Sequence, residues 1–377
     1  MKFNITVKHL SVGLTVSSAL CGEKISIQTS GCLTSADGIK FIRTLEGLSS
    51  YLGIKKWTGL KESQIDNYLA IVRPDNGVTV YCNELSPVLT IRPKQPFGGY
   101  KAGEVVFVSH VADTEELELR DSLGRTIKIP SDCGYVFIFS HGWSKFVCYD
   151  FGVLDASRQV RRTCNLKRLF AGYYNLIVNR SLFLATDEQW QEMISWGWFP
   201  FVWMDHDDQE KLLSFAEQSR KPQPVLDTFC EKFNGNLLER IASWHNHTDF
   251  APHKEFIDAA AKAHLANDYV ASLSTVLPRI EGILRLLLSS ESPNTKITQE
   301  EMAANLVENK SAFSSLIPAR FKEYLLGFYF KGFQSDGDIP LSRHSVAHGV
   351  SQAADHNREN SSLAFMLLDQ IAYYLTD

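Results

Sequence analysis

Apolar and polar residues alternate at Phe3, Ile5 and Val7, the two-residue period of a half-buried strand, and Lys24–Gln28 repeats it. Over Gly38–Leu52 the period changes. Ile39, Phe41, Ile42, Leu45 and Leu48 recur at three and four residues, which predicts a short helix, and Leu60–Leu69 suggests another. Ala70–Val72 and Val78–Cys82 flank Pro74-Asp75-Asn76-Gly77, and an Asn-Gly pair between β-branched runs predicts a hairpin. Pro87–Gly99 is rich in Pro and Gly and reads as a loop. The runs that follow, Val105–Val111, Leu117–Arg120, Thr126–Ile129, Tyr135–Phe139 and Lys145–Tyr149, are short, β-rich and separated by turn residues. They predict a meander or small antiparallel sheet.

From about residue 155 the pattern changes. Ser181–Phe201 concentrates Trp190, Trp196, Trp198, Phe199 and Phe201, an aromatic plug expected between domains. Asp205-His206-Asp207-Asp208 reads as a helix start with acids in its first turn, and Lys221-Pro222-Gln223-Pro224 as a linker. Beyond Val225 the apolar spacing is helical. Phe229, Phe233, Leu237, Leu238, Ile241 and Trp244 mark one helix. A second is expected from about His253 to Leu288, kinked or broken at Pro278, with Ile280, Ile283, Leu284 and Leu287 as its later stripe. Ser292-Pro293-Asn294 and Gln334–Pro340 read as loops, and Thr298 with Glu301 has capping-box spacing. The last helices fall within Arg343–Asp377. The expected fold class is α+β and multidomain: a β-rich mixed domain over 1–154, a helical and aromatic connecting region over 155–225, and an all-α bundle over 226–377.

Composition supports folded domains and narrows the partners. At 377 residues, 44% hydrophobic and 21% charged, the chain suits two or three packed cores. A net charge of −5 excludes a bulk polyanion binder. Residues 226–377 hold 13 Lys+Arg against 19 Asp+Glu, so any RNA contact there needs a locally positive cleft or basic residues from the N-terminal part. The basic cluster Arg158, Arg161, Arg162, Lys167 and Arg168 reads first as a solvated helix face or linker, with RNA phosphate contact as the sharper alternative. Seven cysteines, an odd number with no Cys-x-x-Cys, argue against a disulfide framework or a cysteine zinc site and favour a reducing compartment. Leu10–Leu20 is interrupted by Ser11, Gly13, Thr15, Ser17 and Ser18 and ends on bulky Leu20, which fits poorly with a leader peptide. No run of 18 apolar residues occurs, so a cytoplasmic protein without a membrane span is expected.

The sequence lacks a Walker A loop, a dinucleotide fingerprint, His-Glu-x-x-His and Gly-x-Ser-x-Gly, which removes most support for nucleotide hydrolysis, NAD chemistry and lipase chemistry. His245-Asn246-His247, with His253 nearby, lies between two expected helices and reads as a polar loop, so no metal is assigned to it. The densest chemistry is in Leu341–Gly349. There a guanidinium, Arg343, and an imidazole, His348, are separated by four residues. The first can hold a phosphate bidentately and the second can move a proton near neutral pH, together a minimal set for cutting RNA without a metal. Five helical residues subtend about 500°, so the two sit on adjacent faces and converge when Arg343 stands at the helix start. His344 and His348, at i and i+4, share a face and could instead bind a metal, cap or pack.

Arg343-His344-Ser345-Val346-Ala347-His348, followed by Gly349 and a final apolar helix, resembles the motif of the HEPN superfamily. Leu277-Pro278-Arg279-Ile280-Glu281-Gly282-Ile283-Leu284-Arg285 is similar to a helix of bacterial proteins carrying that domain. The resemblance covers about residues 226–377. It implies a HEPN-like helical domain that forms a homodimer and brings two motifs into one cleft. For many such domains it implies a metal-independent endoribonuclease leaving 2′,3′-cyclic phosphate ends, in a toxin, defence or stress system, with an antitoxin or regulatory protein as partner. On this resemblance Arg343 would hold the scissile phosphate, His348 would be the acid/base and His344 would support them. Glu281 and Arg285 would belong to the surrounding polar network, with no cofactor or metal. Some members lack catalysis, so a dimerisation or nucleotide- or RNA-binding module is the alternative reading. A metal enzyme using His344 and His348 is a third.

Overall fold

Among the described residues of the computed structural model, eight segments adopt extended backbone: β1 (Lys2–Thr6), β2 (Ser30–Thr34), β3 (Asn67–Val72), β4 (Gly77–Cys82), β5 (Ser86–Pro93), β6 (Val111–Arg120), β7 (Gly134–His141) and β8 (Ser144–Asp150). The structure describes residues 1–7, 21–22, 28–95, 97, 99–154, 165–289, 297–332 and 342–375. The expected strand over 24–28 lies almost wholly outside these residues. So do the apolar run 10–20, Arg158, Arg161 and Arg162, and the loops at 292–294 and 334–340.

Six strands form one antiparallel sheet in the order β1-β4-β3-β7-β8-β2. The predicted hairpin is its β3–β4 corner. Asn76 takes φ +63°, Asp75 Oδ1 accepts from Gly77 N at 2.8 Å, and Val72 pairs with Val78. Successive residues of a strand face opposite sides, and both sides of this sheet are covered. Ala70, Val72, Val80, Val136, Ile138 and Val147 pack with Phe41, Leu45, Leu48 and Leu52 of α1 (Ile39–Leu52). Leu69, Ile71, Phe137, Phe139 and Phe146 pack on the other face with Phe170 of α3 (Leu166–Val178), which follows the short α2 (Ile54–Thr58) in the chain. A sheet buried on both faces needs near-continuous apolar runs, as β3 and β7 supply. Four expectations fail here: Pro87–Pro93 belongs to β5 rather than to a loop, and Val105–Val111 holds only the 3₁₀ turn Val108–His110 before β6 begins. Leu60–Leu69 is not a helix but a single 3₁₀ turn leading into β3, and Thr126–Ile129 makes one bridge, Thr126 to Arg120, rather than a strand.

The cysteine reading also needs correction. Cys32 and Cys148 stand directly opposite in the β2–β8 register, with Cα atoms 4.3 Å apart, and are joined as a disulfide. They are 116 residues apart in sequence, so no local spacing could announce the pair. Cysteine usage therefore no longer argues for a reducing compartment. A cross-link closing so long a loop contributes up to about 4–5 kcal/mol in the chain-entropy account. Dithiothreitol should lower the unfolding midpoint of the wild type and leave that of Cys32→Ser where it is.

The chain divides into two compact units, Met1–Thr90 with Thr114–Val178, and Ile91–Asp113 with Asn179–Asp377. It passes from the first to the second within β5 and returns within β6, which pair with each other. The second unit is helical: α4 (Arg180–Leu184), α5 (Asp187–Ser195), α6 (His206–Glu217), α7 (Gln223–Asn234), α8 (Leu237–Trp244), α9 (Lys254–Leu265), α10 (Tyr269–Ser289), α11 (Gln299–Glu308), α12 (Pro318–Tyr324), α13 (Arg343–Ala347) and α14 (Arg358–Leu375). A β-rich N-terminal region thus precedes a C-terminal all-α bundle. No described helix is long and apolar enough to cross a membrane.

Residues 361–372 of α14 are all buried, so this helix is the axis of the bundle. Asp205 caps α6 by accepting from Asp208 N at 2.9 Å, and Thr298 and Glu301 form the predicted capping box of α11. Other expectations are corrected. The aromatic segment does not plug a domain boundary. Trp190, Trp198, Phe199 and Phe201 lie inside the helical core, where Trp198 Nε1 donates to Glu359 at 2.8 Å. Lys221–Pro224 is not a linker, because α7 starts at Gln223 with Pro224 in the first turn, where the missing N–H is tolerated. The helical break falls at Asn267, held at φ +61°, and α10 continues through Pro278. Burial of Leu273, Val276, Leu277, Ile280 and Ile283 outweighs the one hydrogen bond that proline omits.

Two buried polar clusters tie elements to α14. Segment 91–95 reaches it through Arg92 Nη1 on Tyr373 O at 3.1 Å and Tyr373 Oη on Lys94 O at 3.4 Å. Lys94 itself donates to Met204 O at 2.5 Å, and burial pushes its ammonium down to about 8. Arg240 Nη1 and Trp244 Nε1 each donate to Asp369 at 2.9 Å. In the second cluster His264 Nδ1 meets Ser361 Oγ at 2.8 Å, and Ser272 Oγ meets the same hydroxyl at 2.9 Å. Burial, then the nearby Arg358 charge, hold His264 down to about 4, against 6.5 when free. Between those values the unfolded chain binds the extra proton. Stability from this site is therefore complete above about pH 6.5 and falls as pH drops toward 4, by roughly 3 kcal/mol in all. Urea melts at pH 7 and 4.5 should show a steeper acid loss for the wild type than for His264→Gln.

Candidate functional site

Arg343 and His348 are presented by a helix of only five residues, and its ends are closed locally. Ser342 accepts from Ser345 N at 3.2 Å, and Ser345 Oγ accepts from Ser342 N at 3.0 Å. Both serines are buried, a reciprocal cap made by Ser-x-x-Ser rather than the usual Ser-x-x-Glu. His348 is the C-cap, and Gly349 at φ +67° turns the chain away. Ser345 faces inward, Arg343 and His344 are half-buried, and Ala347 and His348 are exposed. The sequence geometry for the histidines holds: the rings of His344 and His348 lie with centroids 4.5 Å apart. Arg343 opens the helix and His348 ends it, about 7.5 Å apart along the axis at 1.5 Å per residue.

The floor under Arg343 comes from α10. Glu281 is 4% exposed, and its Oε2 is ion-paired with Arg343 Nε. Its Oε1 accepts from Arg285 Nε and Nη2, both at 2.7 Å. One buried carboxylate is thus shared by two guanidiniums, and the three groups carry one net positive charge. Tyr329 lies close enough for the same charges to act on its phenol. It sits in the π-helical turn Leu325–Tyr329 that continues α12, is 1% exposed, and donates to Leu277 O at 2.7 Å. Burial first, then the Glu281 charge, push the Tyr329 phenol well above its ordinary range, so it stays a proton-carrying neutral group. Tyr329 and the Ser342–Ser345 cap escaped the sequence reading. Ser-x-x-Ser before Val346 was the available sign of the cap, whereas nothing local marks Tyr329.

The structure brings together Arg343, Glu281 and Arg285 as direct contacts, with His344 and His348 on the same short helix. Of the basic cluster, Lys167 and Arg168 are described. Lys167 and Arg168 belong to α3 of the first unit, and Lys167 Nζ is ion-paired with Glu118 at 2.7 Å. Of the second histidine group, His245 is paired with Asp258 at 3.4 Å and His253 is buried against Gly282. Asp205 serves as a helix cap and ion-pairs with Lys232. Among the described residues no cluster of three or more His, Cys, Asp or Glu is placed to hold a metal ion.

Compared with protein-family profiles, with curated proteins and with solved structures, the chain finds no match.

Proposed function

We propose that the C-terminal helical region, 226–377, is a HEPN-like metal-independent endoribonuclease, with the β-rich 1–154 as a sensor or regulator. The observation that carries this reading is the Arg343–Glu281–Arg285 arrangement. A buried carboxylate orients a partly exposed guanidinium at the head of the helix that ends in an exposed imidazole, and the excess positive charge favours a phosphate there. His348 would take the 2′-OH proton or supply one to the leaving 5′ oxygen, Arg343 would stabilise charge on the phosphorane, and His344 would support the imidazole. Two copies joined through the C-terminal region would pair their motifs across a cleft. The setting would be a bacterial toxin, defence or stress system in the cytoplasm, restrained by an antitoxin or regulatory protein.

The test is incubation of structured and single-stranded RNA with the full chain in EDTA, followed by end analysis. Fragments with 2′,3′-cyclic phosphate and 5′-hydroxyl ends are expected. One observation favours a second reading. Arg343 is already engaged by Glu281, as in a site that holds a dimer or a ligand without cutting. That reading predicts a dimer by light scattering, RNA or nucleotide binding, and intact RNA at all enzyme concentrations.

A further inference from the structure

A groove of about 590 Å³ opens beside the π-helical turn that carries Tyr329. Its lining includes Gln191, Trp196, Phe328, Lys331, Asp355 and Asn360. Phe328 and Asn360 also line a separate small void against Ser342 and Tyr329, so these two residues stand between the groove and the residue that caps α13. Its two aromatic rings are fixed from behind. Trp196 Nε1 donates to Glu192 Oε1 at 3.0 Å. Phe328 stacks on Tyr324 with ring centroids 5.5 Å apart, and lies so near Gly197 that a Cβ there would come within 2.5 Å of it. Gly197 therefore has to be glycine twice over, for this contact and for its φ of +79°.

The polar groups are also ordered. Asn360 Nδ2 donates to Asp355 O at 2.8 Å, and Asp355 Oδ2 accepts from Gln352 N at 3.3 Å. A carboxylate has about four acceptor positions, and this bond occupies one. Lys331 is exposed two residues past the π-helical turn. Fixed aromatic faces suit a flat unstacked base, which is how single-stranded RNA is read. A carboxylate favours a base edge with two adjacent donors. Guanine has that edge in N1–H and its exocyclic amine, whereas adenine, cytosine and uracil do not.

We propose that this groove receives an unstacked guanine of single-stranded RNA, with Asp355 accepting from its N1–H and exocyclic amine, Trp196 and Phe328 framing the ring, and Lys331 meeting the nucleotide's phosphate. The placement of that guanine beside the cleaved bond rests on the ribonuclease reading; its binding does not.

The experiment is calorimetric titration of the full chain with guanosine 3′-monophosphate and, separately, with the adenosine, cytidine and uridine 3′-monophosphates. The guanine nucleotide should bind about ten-fold or more tightly than the other three, the discrimination of one good bidentate pair. Asp355→Asn, which keeps an acceptor for Gln352 N, should remove that preference with an unchanged melting curve. Lys331→Ala should weaken the nucleotide but not guanosine itself. Equal affinity for the four nucleotides, or a preference that survives Asp355→Asn, overturns the inference. A guanine preference in a protein that leaves RNA intact supports the groove and removes the ribonuclease. RNA cutting with no base preference in these titrations does the reverse.

Discussion

His348→Ala should reduce RNA cleavage in EDTA by about 10²–10⁴-fold, the usual range for losing a positioned acid/base group. Because His348 is exposed at the C-cap of α13, the substitution should move the unfolding free energy by no more than about 0.5 kcal/mol. The two readouts therefore separate chemistry from folding. Arg343→Ala should lose about 10²–10³-fold, as when one charge-stabilising donor is removed. Arg343→Lys should recover only part of this, because a point charge replaces the planar fork that meets Glu281 and, in the proposed role, would also hold a phosphate. Glu281→Gln is the informative companion. It removes the carboxylate shared by Arg343 and Arg285, so it acts on position rather than on a transferred proton. Its rate loss should be smaller than that of His348→Ala, with the pH profile of the wild type preserved. Wild-type rates in both His348→Ala and Arg343→Ala would end the ribonuclease reading.

The largest stability effect is expected at Arg240→Met. Arg240 and Asp369 are each about 2% exposed and bonded at 2.9 Å, and the guanidinium lies over the Phe233 ring at 4.9 Å. Removing the cation leaves a carboxylate buried on α14 with Trp244 Nε1 as its remaining strong donor in this cluster. Breaking such a pair costs about 3–5 kcal/mol. Burial already holds the Asp369 carboxyl above its usual range despite Arg240. Without the guanidinium it should rise further. A carboxyl raised in the folded state stabilises at acid pH and loses that contribution as pH rises. The deficit of Arg240→Met should therefore deepen from about pH 4 toward neutrality. Denaturant melts of Arg240→Met, Asp369→Leu and the double variant at two pH values measure this. The double variant should recover most of the loss, since well-packed apolar replacements of buried pairs are close to neutral. An additive double variant would show that the two residues contribute independently.

The resemblance to a helical nuclease domain and the acidic composition of 226–377 pulled in opposite directions in the sequence. The structure eases that tension locally. Two of the 13 basic residues share one of the 19 acids, and that acid is buried. Net charge counts every residue equally, whereas a phosphate responds to those within a Debye length of about 10 Å.

What the amino-acid order alone determines here is local. Asn76-Gly77 between β-branched runs makes the β3–β4 hairpin, Asp205 and Thr298 cap α6 and α11, and the three-and-four spacing over 39–52 makes α1. Each depends on groups a few residues apart, and so does the His344–His348 ring contact across one helical turn. Tertiary structure decides whatever depends on groups distant in the chain. Only folding sets Cys32 against Cys148, sends residues 91–113 into the helical unit, carries α10 through Pro278, and buries Trp190 and Trp198 in that unit's core. The same holds for the candidate site. Leu341–Gly349 shows an arginine and two histidines, but the carboxylate that orients the arginine lies on α10 and the nearby phenol on a π-helical turn. Backbone periodicity is written in neighbouring residues. The partner of a buried charge is chosen by the packing of helices, which no short stretch of sequence contains.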